Sequence, residues 1–282
     1  MISVNDIQAK NIRAIEKKHR ILLRANEFIS LLPHPNLRKY ISSYNITFPA
    51  KDLLPNGFTV MPCGCATLGI ENNGRNLFVN LNGPVTKPYF VGCEFNRLLM
   101  SAAVEFKPAG LYALTGINQS ELTDKEIPLE AVSPAFSRSI SQAVEKAANV
   151  CELAASLDVL LQANMYTDCH PQLRTVFKNI LDCAGSIPVK ELSHDMHCSE
   201  RQMNRIFTQQ VGTSAKAFSR LVRINQAFRL LKRPHNSLTM VSDLTGFHDL
   251  PHFIHDFKLV CGITPQKYRE NMSGFYNNYT KY

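Results

Sequence analysis

Apolar and polar residues alternate through the first half of the chain and recur every three or four positions through the second. In residues 98–106 apolar residues fall at every second position, Leu98, Met100, Ala102, Val104 and Phe106, the period of a half-buried strand. Turn signals recur at "LPNG", "ENNGRN", "LNGP" and "TKP", so residues 25 to about 107 are expected to form an antiparallel sheet or small barrel, ended by Pro108 and Gly110. Residues 134–165 read as helical. Asp168, His170 and Pro171 mark a linker, and the positions beyond it are helical. Strands followed by helices argue for separate domains and an α+β chain. The expected divisions are an extension at 1–24, a mainly β, barrel-like domain with helices at 25–167, an all-α domain at 168–270 and a tail at 271–282. The boundary is expected between Asn164 and Leu173.

The helical half contains a repeat. Residues 207–218 read "FTQQVGTSAKAF" and residues 257–268 read "FKLVCGITPQKY". Phe207, Gly212, Ser214 and Phe218 match Phe257, Gly262, Thr264 and Tyr268, each at an offset of 50. In the first copy Ser199 and Gln202 form a capping-box start and Gly212 a helix stop. Met203, Ile206 and Phe207 make one apolar stripe. Arg201, Asn204, Arg205 and Thr208 lie on the opposite face. A polar outer face belongs to any amphipathic helix, and for this helix alone that is the better reading. The preceding residues change it. "VKELSHDM" is a short helix with Val189, Leu192 and Met196 inward, Ser193 is small enough for close approach, and His197 sits in the turn, which is helix-turn-helix spacing. Arginine forks onto guanine and asparagine onto adenine in the major groove.

The second copy repeats the plan, with Ser242 as the small residue, Gly246 in the turn, Asp249 as the cap and Phe253, Phe257 and Val260 inward. Between the copies, residues 214–233 read as one helix of 20 residues, about 30 Å long. Major-groove faces on one side of DNA recur every ~34 Å, so such a rod can hold two reading helices in adjacent grooves.

Composition sets bounds. The chain has 282 residues, 45% hydrophobic and 19% charged, which is ordinary globular protein with room for two domains. No apolar run approaches the ~18 residues of a membrane span, and the N-terminal stretch lacks the apolar core of a signal peptide. A cytosolic protein is expected, with its eight cysteines as thiols. The net charge of +8 is local: residues 199–233 carry eight basic residues against Glu200 alone, which points to an anionic partner.

Residues 187–269 resemble the DNA-binding domain of AraC/XylS-type transcription regulators, most specifically in "SERQMNRIFTQQVGTS", "RINQAFRLL" and "GFHDLPHFIHDFKLVCGITPQKYR". The resemblance implies a sequence-specific regulator bound to double-stranded DNA. It places Arg201, Asn204 and Arg205 as groove readers of the first unit and Leu250, Pro251 and His255 at the matching positions of the second. Thr208, His252 and Lys258 complete the candidate DNA-facing set. The chain departs from the family at His197, where a small residue is common, and at Pro251 and His255, where Arg or Gln is frequent. Asp256 is expected to face phosphates and repel them, so base reading should be lopsided toward the first unit. Residues 25–165 more weakly resemble an uncharacterised domain that precedes such units, through "NLRKYISSYNITF", "VEFKPAGLYALTGI" and "SELTDKEIPLE", with Asn45 where tryptophan is frequent. That domain is expected to sense a signal or mediate dimerisation. RNA polymerase, a second copy of the chain and a small-molecule effector of unknown identity are candidate partners.

Two other chemistries were weighed. "MPCGC" sets Cys63 two residues from Cys65, with Cys93 later. This suggests a thiol sensor or a DNA-repair alkyltransferase, but such a zinc site needs four spaced thiolates and buried apolar cysteine is the better reading. His248, His252 and His255, with Cys261 beyond, are explained by a DNA-facing helix without metal. An architectural DNA binder that reads no sequence is the third alternative. No Ser-His-Asp set, phosphate loop or carboxylate pair stands out, so neither an enzyme nor a cofactor is expected.

Overall fold

The computed structural model describes residues 2–8, 21–54 and 56–270. The expected tail at 271–282 and most of the expected N-terminal extension lie outside them. Nine strands occur among the described residues: β1 (Ile21–Arg24), β2 (Phe28–Leu31), β3 (Ile41–Thr47), β4 (Phe58–Val60), β5 (Thr67–Asn72), β6 (Leu77–Asn82), β7 (Tyr89–Val91), β8 (Met100–Phe106) and β9 (Glu126–Pro128). Seven form one antiparallel sheet in the order β1-β2-β3-β8-β5-β6-β9, and β4 pairs with β7 in a separate ribbon. The mainly β reading holds, but the sheet does not close into a barrel. Its edges are β1 and β9, and helices rather than a second sheet wall cover its apolar face, which an open sheet permits.

The alternation seen in the sequence becomes a register. Leu31, Tyr44, Val104, Leu68, Leu81 and Ile127 are successive cross-strand partners. A second row runs Ile29, Ile46, Ala102, Ile70 and Val79. Three short helices follow the strands or interrupt them, α1 (Gly110–Thr115), α2 (Gln119–Leu122) and α3 (Leu129–Val132). The helical cover is α4 (Pro134–Lys146) and α5 (Val150–Asn164). Ser133 caps α4 by accepting from the Phe136 amide, and Phe136, Ile140 and Val144, four apart, reach the core shared with the sheet. Asn149 caps α5 in the same way. The Asp158 carboxylate on α5 accepts from the Tyr44 hydroxyl at 2.8 Å and from the His34 amide at 2.8 Å. Burial, followed by that carboxylate, pushes the Tyr44 phenol up in pKa.

The remaining helices are α6 (Leu173–Asp182), α7 (Val189–Asp195), α8 (Glu200–Val211), α9 (Ala215–Leu231), α10 (Leu238–Leu244), α11 (Leu250–Cys261) and α12 (Pro265–Glu270). They enclose two cores. Val176, Leu192, Met203, Phe207, Phe218 and Val222 belong to the first, and Ile224, Phe228, Val241, Phe253, Phe257 and Val260 to the second. The rod α9 serves both. It is shorter than the sequence suggested, with 17 residues and about 26 Å of length. A span between adjacent grooves must therefore include the helices hung on its ends.

Candidate nucleic-acid interface

The two units share one hydrogen-bond plan. In the first turn the His197 amide donates to His194 O and the Cys198 amide to Ser193 O. In the second, Gly246 donates to Asp243 O and Phe247 to Ser242 O. Ser193 and Ser242 are both buried where the paired helices cross. His197 takes φ +52° and Gly246 φ +70°, the left-handed backbone such a turn requires, which glycine adopts freely and histidine at a cost. Ser199 caps α8 through the Gln202 amide and Asp249 caps α11 through the His252 amide. That amide, followed by the neighbouring His248, holds the Asp249 carboxyl below the usual carboxylate range. Gly212 (φ +88°) and Gly262 (φ +72°) end α8 and α11, and the Ser214 and Thr264 hydroxyls accept from the amides of Ala217 and Lys267 to start the next helices. The repeated residues are thus the stop of one helix and the start of another, twice. The turn residues match at an offset of 49 and the later caps at 50, because His248 is an extra residue in the second turn.

The outward face of α8 exposes Arg201, Arg205 and Thr208. Asn204 is half-buried, and its Oδ1 accepts from the Ala215 amide at 3.3 Å, so it ties α8 to the rod. On α11 the matching face exposes Pro251, His252, His255 and Lys258, beside an exposed Leu259, while Leu250 is half-buried. Asp256 corrects the expectation from sequence. It is 6% exposed and points away from that face, its Oδ2 3.2 Å from Arg220 Nε on the rod. His252 Nε2 and His255 Nδ1 lie 3.7 and 3.5 Å from the same carboxylate. A pair with an arginine satisfies a carboxylate that lies next to Phe257 in the core, where it could not stay charged alone. Arg223 is also engaged inward. Its guanidinium donates to Gly185 O at 2.9 Å and lies 5.0 Å from the centroid of the Phe247 ring, and burial lowers its pKa. Two of the eight cations in the basic segment therefore hold the domain together.

The N-terminal domain reaches this face, a contact that no local pattern predicts. The Thr123 hydroxyl, just past α2, lies 2.9 Å from both Gly212 O and Gln119 O and shares its one proton between them. Asn118 lines a cleft of ≈360 Å³ together with Asn204, Arg205, Thr208 and Gln209. A second contact is the "MPCGC" loop. Pro62 O accepts from Asn225 Nδ2 at 2.8 Å. A Cβ built on Gly64 would lie 3.1 Å from both Phe218 and Leu221, so the loop packs directly on the rod. Cys63 and Cys65 are 2% and 1% exposed and Cys93 is exposed on a turn of 3-10 helix. A nucleophile that accepts alkyl groups from DNA must meet the duplex, and in this arrangement Cys63 and Cys65 are buried instead. Among the described residues no three His, Cys, Asp or Glu side chains are grouped to hold a metal, and no helix is long and apolar enough to cross a membrane.

Residues 192–271 match the family described as a helix-turn-helix domain, and residues 29–128 match a domain of unknown function, DUF6597. The chain is similar to the uncharacterized HTH-type transcriptional regulator YidL of Escherichia coli (strain K12), 31% identical over 113 residues and 38% of each chain. It is also similar to the uncharacterized HTH-type transcriptional regulator YisR of Bacillus subtilis (strain 168), 28% identical over 85 residues and 30% of each chain. These matches span about a third of the relatives' lengths. A solved transcriptional regulator with an AraC-type DNA-binding domain from Chromobacterium violaceum is 25% identical, covers 36% of this chain and 90% of its own, and has a TM-score of 0.33.

Proposed function

We infer, from a C-terminal unit that matches the helix-turn-helix domain family and resembles AraC-type units, that the chain is a sequence-specific DNA-binding regulator of transcription. The observation that carries this reading is the paired capping plan, with Arg201, Arg205 and Thr208 exposed on the first reading helix beside the basic rod. The α8 helix enters a major groove and reads bases through the two arginines. The α11 helix offers a proline without a donor and two histidines, so it docks on the backbone of the next groove or reads its shape. Asn204 is half-buried and held by the Ala215 amide through one lone pair of its Oδ1, so it is the least available reader of the three on α8. Residues 25–167 are a sensing or dimerisation domain, and the work of the chain in the cytosol is binding without a catalytic step. Double-stranded DNA is the proposed partner, with RNA polymerase and a second copy of the chain as further candidates.

The test is binding of the full chain to selected and scrambled duplexes across a salt series. A regulator gives a specific to non-specific ratio of ~10³ or more. About five phosphate contacts give a log–log salt slope near −4 to −5. A ratio near one sinks the reading in favour of an architectural binder.

A further inference from the structure

We propose that the N-terminal domain docks on the first reading helix in a way that excludes DNA from it. The proposal rests on α8 being a DNA reader. Two observations meet at that helix. The first is close approach at its end, where the Thr123 hydroxyl lies 2.9 Å from Gly212 O. A Cβ at Gly212 would fall 2.5 Å from Thr123 Oγ1, 2.9 Å from Pro84 Cγ and 3.1 Å from Gln119 O. The glycine that ends the helix therefore also lets the other domain sit on it. The second is a solvent-open cleft of ≈360 Å³ that Asn118 lines together with Asn204, Arg205, Thr208 and Gln209, so the N-terminal domain stands over that face of α8. A major groove ~12 Å wide is filled by a helix ~10–12 Å across, with nothing between the side chains and the bases. Asn118 and a duplex cannot both face Arg205 and Thr208.

The docking carries a built-in cost. Gln119 is buried, and its Oε1 has no hydrogen-bond partner among the described residues. An unpaired buried amide oxygen regains water on separation, which favours opening. Docked and open forms then share the population, and the apparent affinity for DNA falls by the open fraction. Any ligand that binds the N-terminal domain better when it is undocked raises DNA affinity by the same linkage.

The test uses the full chain with Thr123→Glu. A carboxylate facing the Gly212 carbonyl opposes docking, yet its negative charge alone would weaken binding to DNA, so a gain is not a charge artefact. Affinity for a selected duplex should rise ~5- to 10-fold, as a docked fraction of ~80–90% requires, with cooperative melting retained. In the wild type, adding duplex should speed hydrogen exchange at the amides of residues 118–123. Unchanged or weaker binding by a folded variant, or exchange at 118–123 that slows or stays constant on saturation with duplex, overturns the proposal. If the variant does not fold, the exchange measurement decides. Failure of the underlying reading looks different, because neither protein would then prefer the selected duplex over a scrambled one.

Discussion

Arg220 on the rod α9 and Asp256 on α11 lie 3.2 Å apart, Nε to Oδ2, and bind the two helices from the inside. Asp256→Asn should cost about 1–2 kcal/mol in urea unfolding. That is below the figure for a fully buried pair, because the Arg220 side chain is 31% exposed and screened by water. The DNA salt slope should change by less than ~0.5, since a carboxylate turned inward meets no phosphate. An unfolding midpoint that does not move, or a slope that steepens by a full unit, would place Asp256 on the DNA side after all.

Sequence reading should be unequal between the units. Arg205→Ala is expected to lose ~1–3 kcal/mol on the correct site and to relax base preference there. His255→Ala should lose less at pH 7.5. Affinities for a full site and for sites scrambled in either half measure this directly. Equal losses from scrambling each half would contradict it.

The repeated glycines should not be equally replaceable. Gly262→Ala places a side chain at φ +72° with its nearest neighbour, Pro88 Cγ, 3.9 Å away, so only the left-handed backbone is penalised, by about 1–2 kcal/mol. Gly212→Ala meets the same strain at φ +88° and three atoms at 3.1 Å or less. Its melting temperature should fall further than that of Gly262→Ala. Equal falls would mean that the domains do not press on Gly212 in solution.

Thiol labelling should follow burial. Cys93 and Cys183 are exposed and should react first with iodoacetamide at pH 7.5. Burial pushes the Cys169 thiol up to about 11, so its reactive thiolate is scarce at that pH. Cys63 and Cys65 should stay unlabelled while the domains remain docked. Peptide mass spectrometry at timed intervals resolves all five, and early labelling of Cys63 would contradict the packed joint.

The parts of the structure legible in the sequence are those that local rules govern. Caps at Ser199, Asp249, Ser214 and Thr264, small residues at Ser193 and Ser242, and left-handed turns at His197 and Gly246 all follow from backbone chemistry within a few residues. Asp256 was misplaced although the repeat held the clue. At the offset of 50 it stands opposite Ile206, a buried position. An acidic residue at a core position needs a partner, and Arg220 supplies it from another helix. The open edges of the sheet and the approach of Asn118 to Arg205 could not be read, because both depend on how distant segments pack. The "MPCGC" cysteines read best as buried apolar residues and are buried, but the packing of Gly64 on Phe218 and Leu221 of the rod could not be read.

The extra residue His248 makes the two halves of the helical domain similar but not interchangeable. A symmetric dimer reads a palindrome and binds it identically in either direction. One chain with two unlike readers on a single rod has a front and a back. On the proposed function, a DNA site bound by one such chain has an arrow: the same bases inverted relative to a gene are a different site, and the bound protein would present a different surface to whatever is assembled beside it.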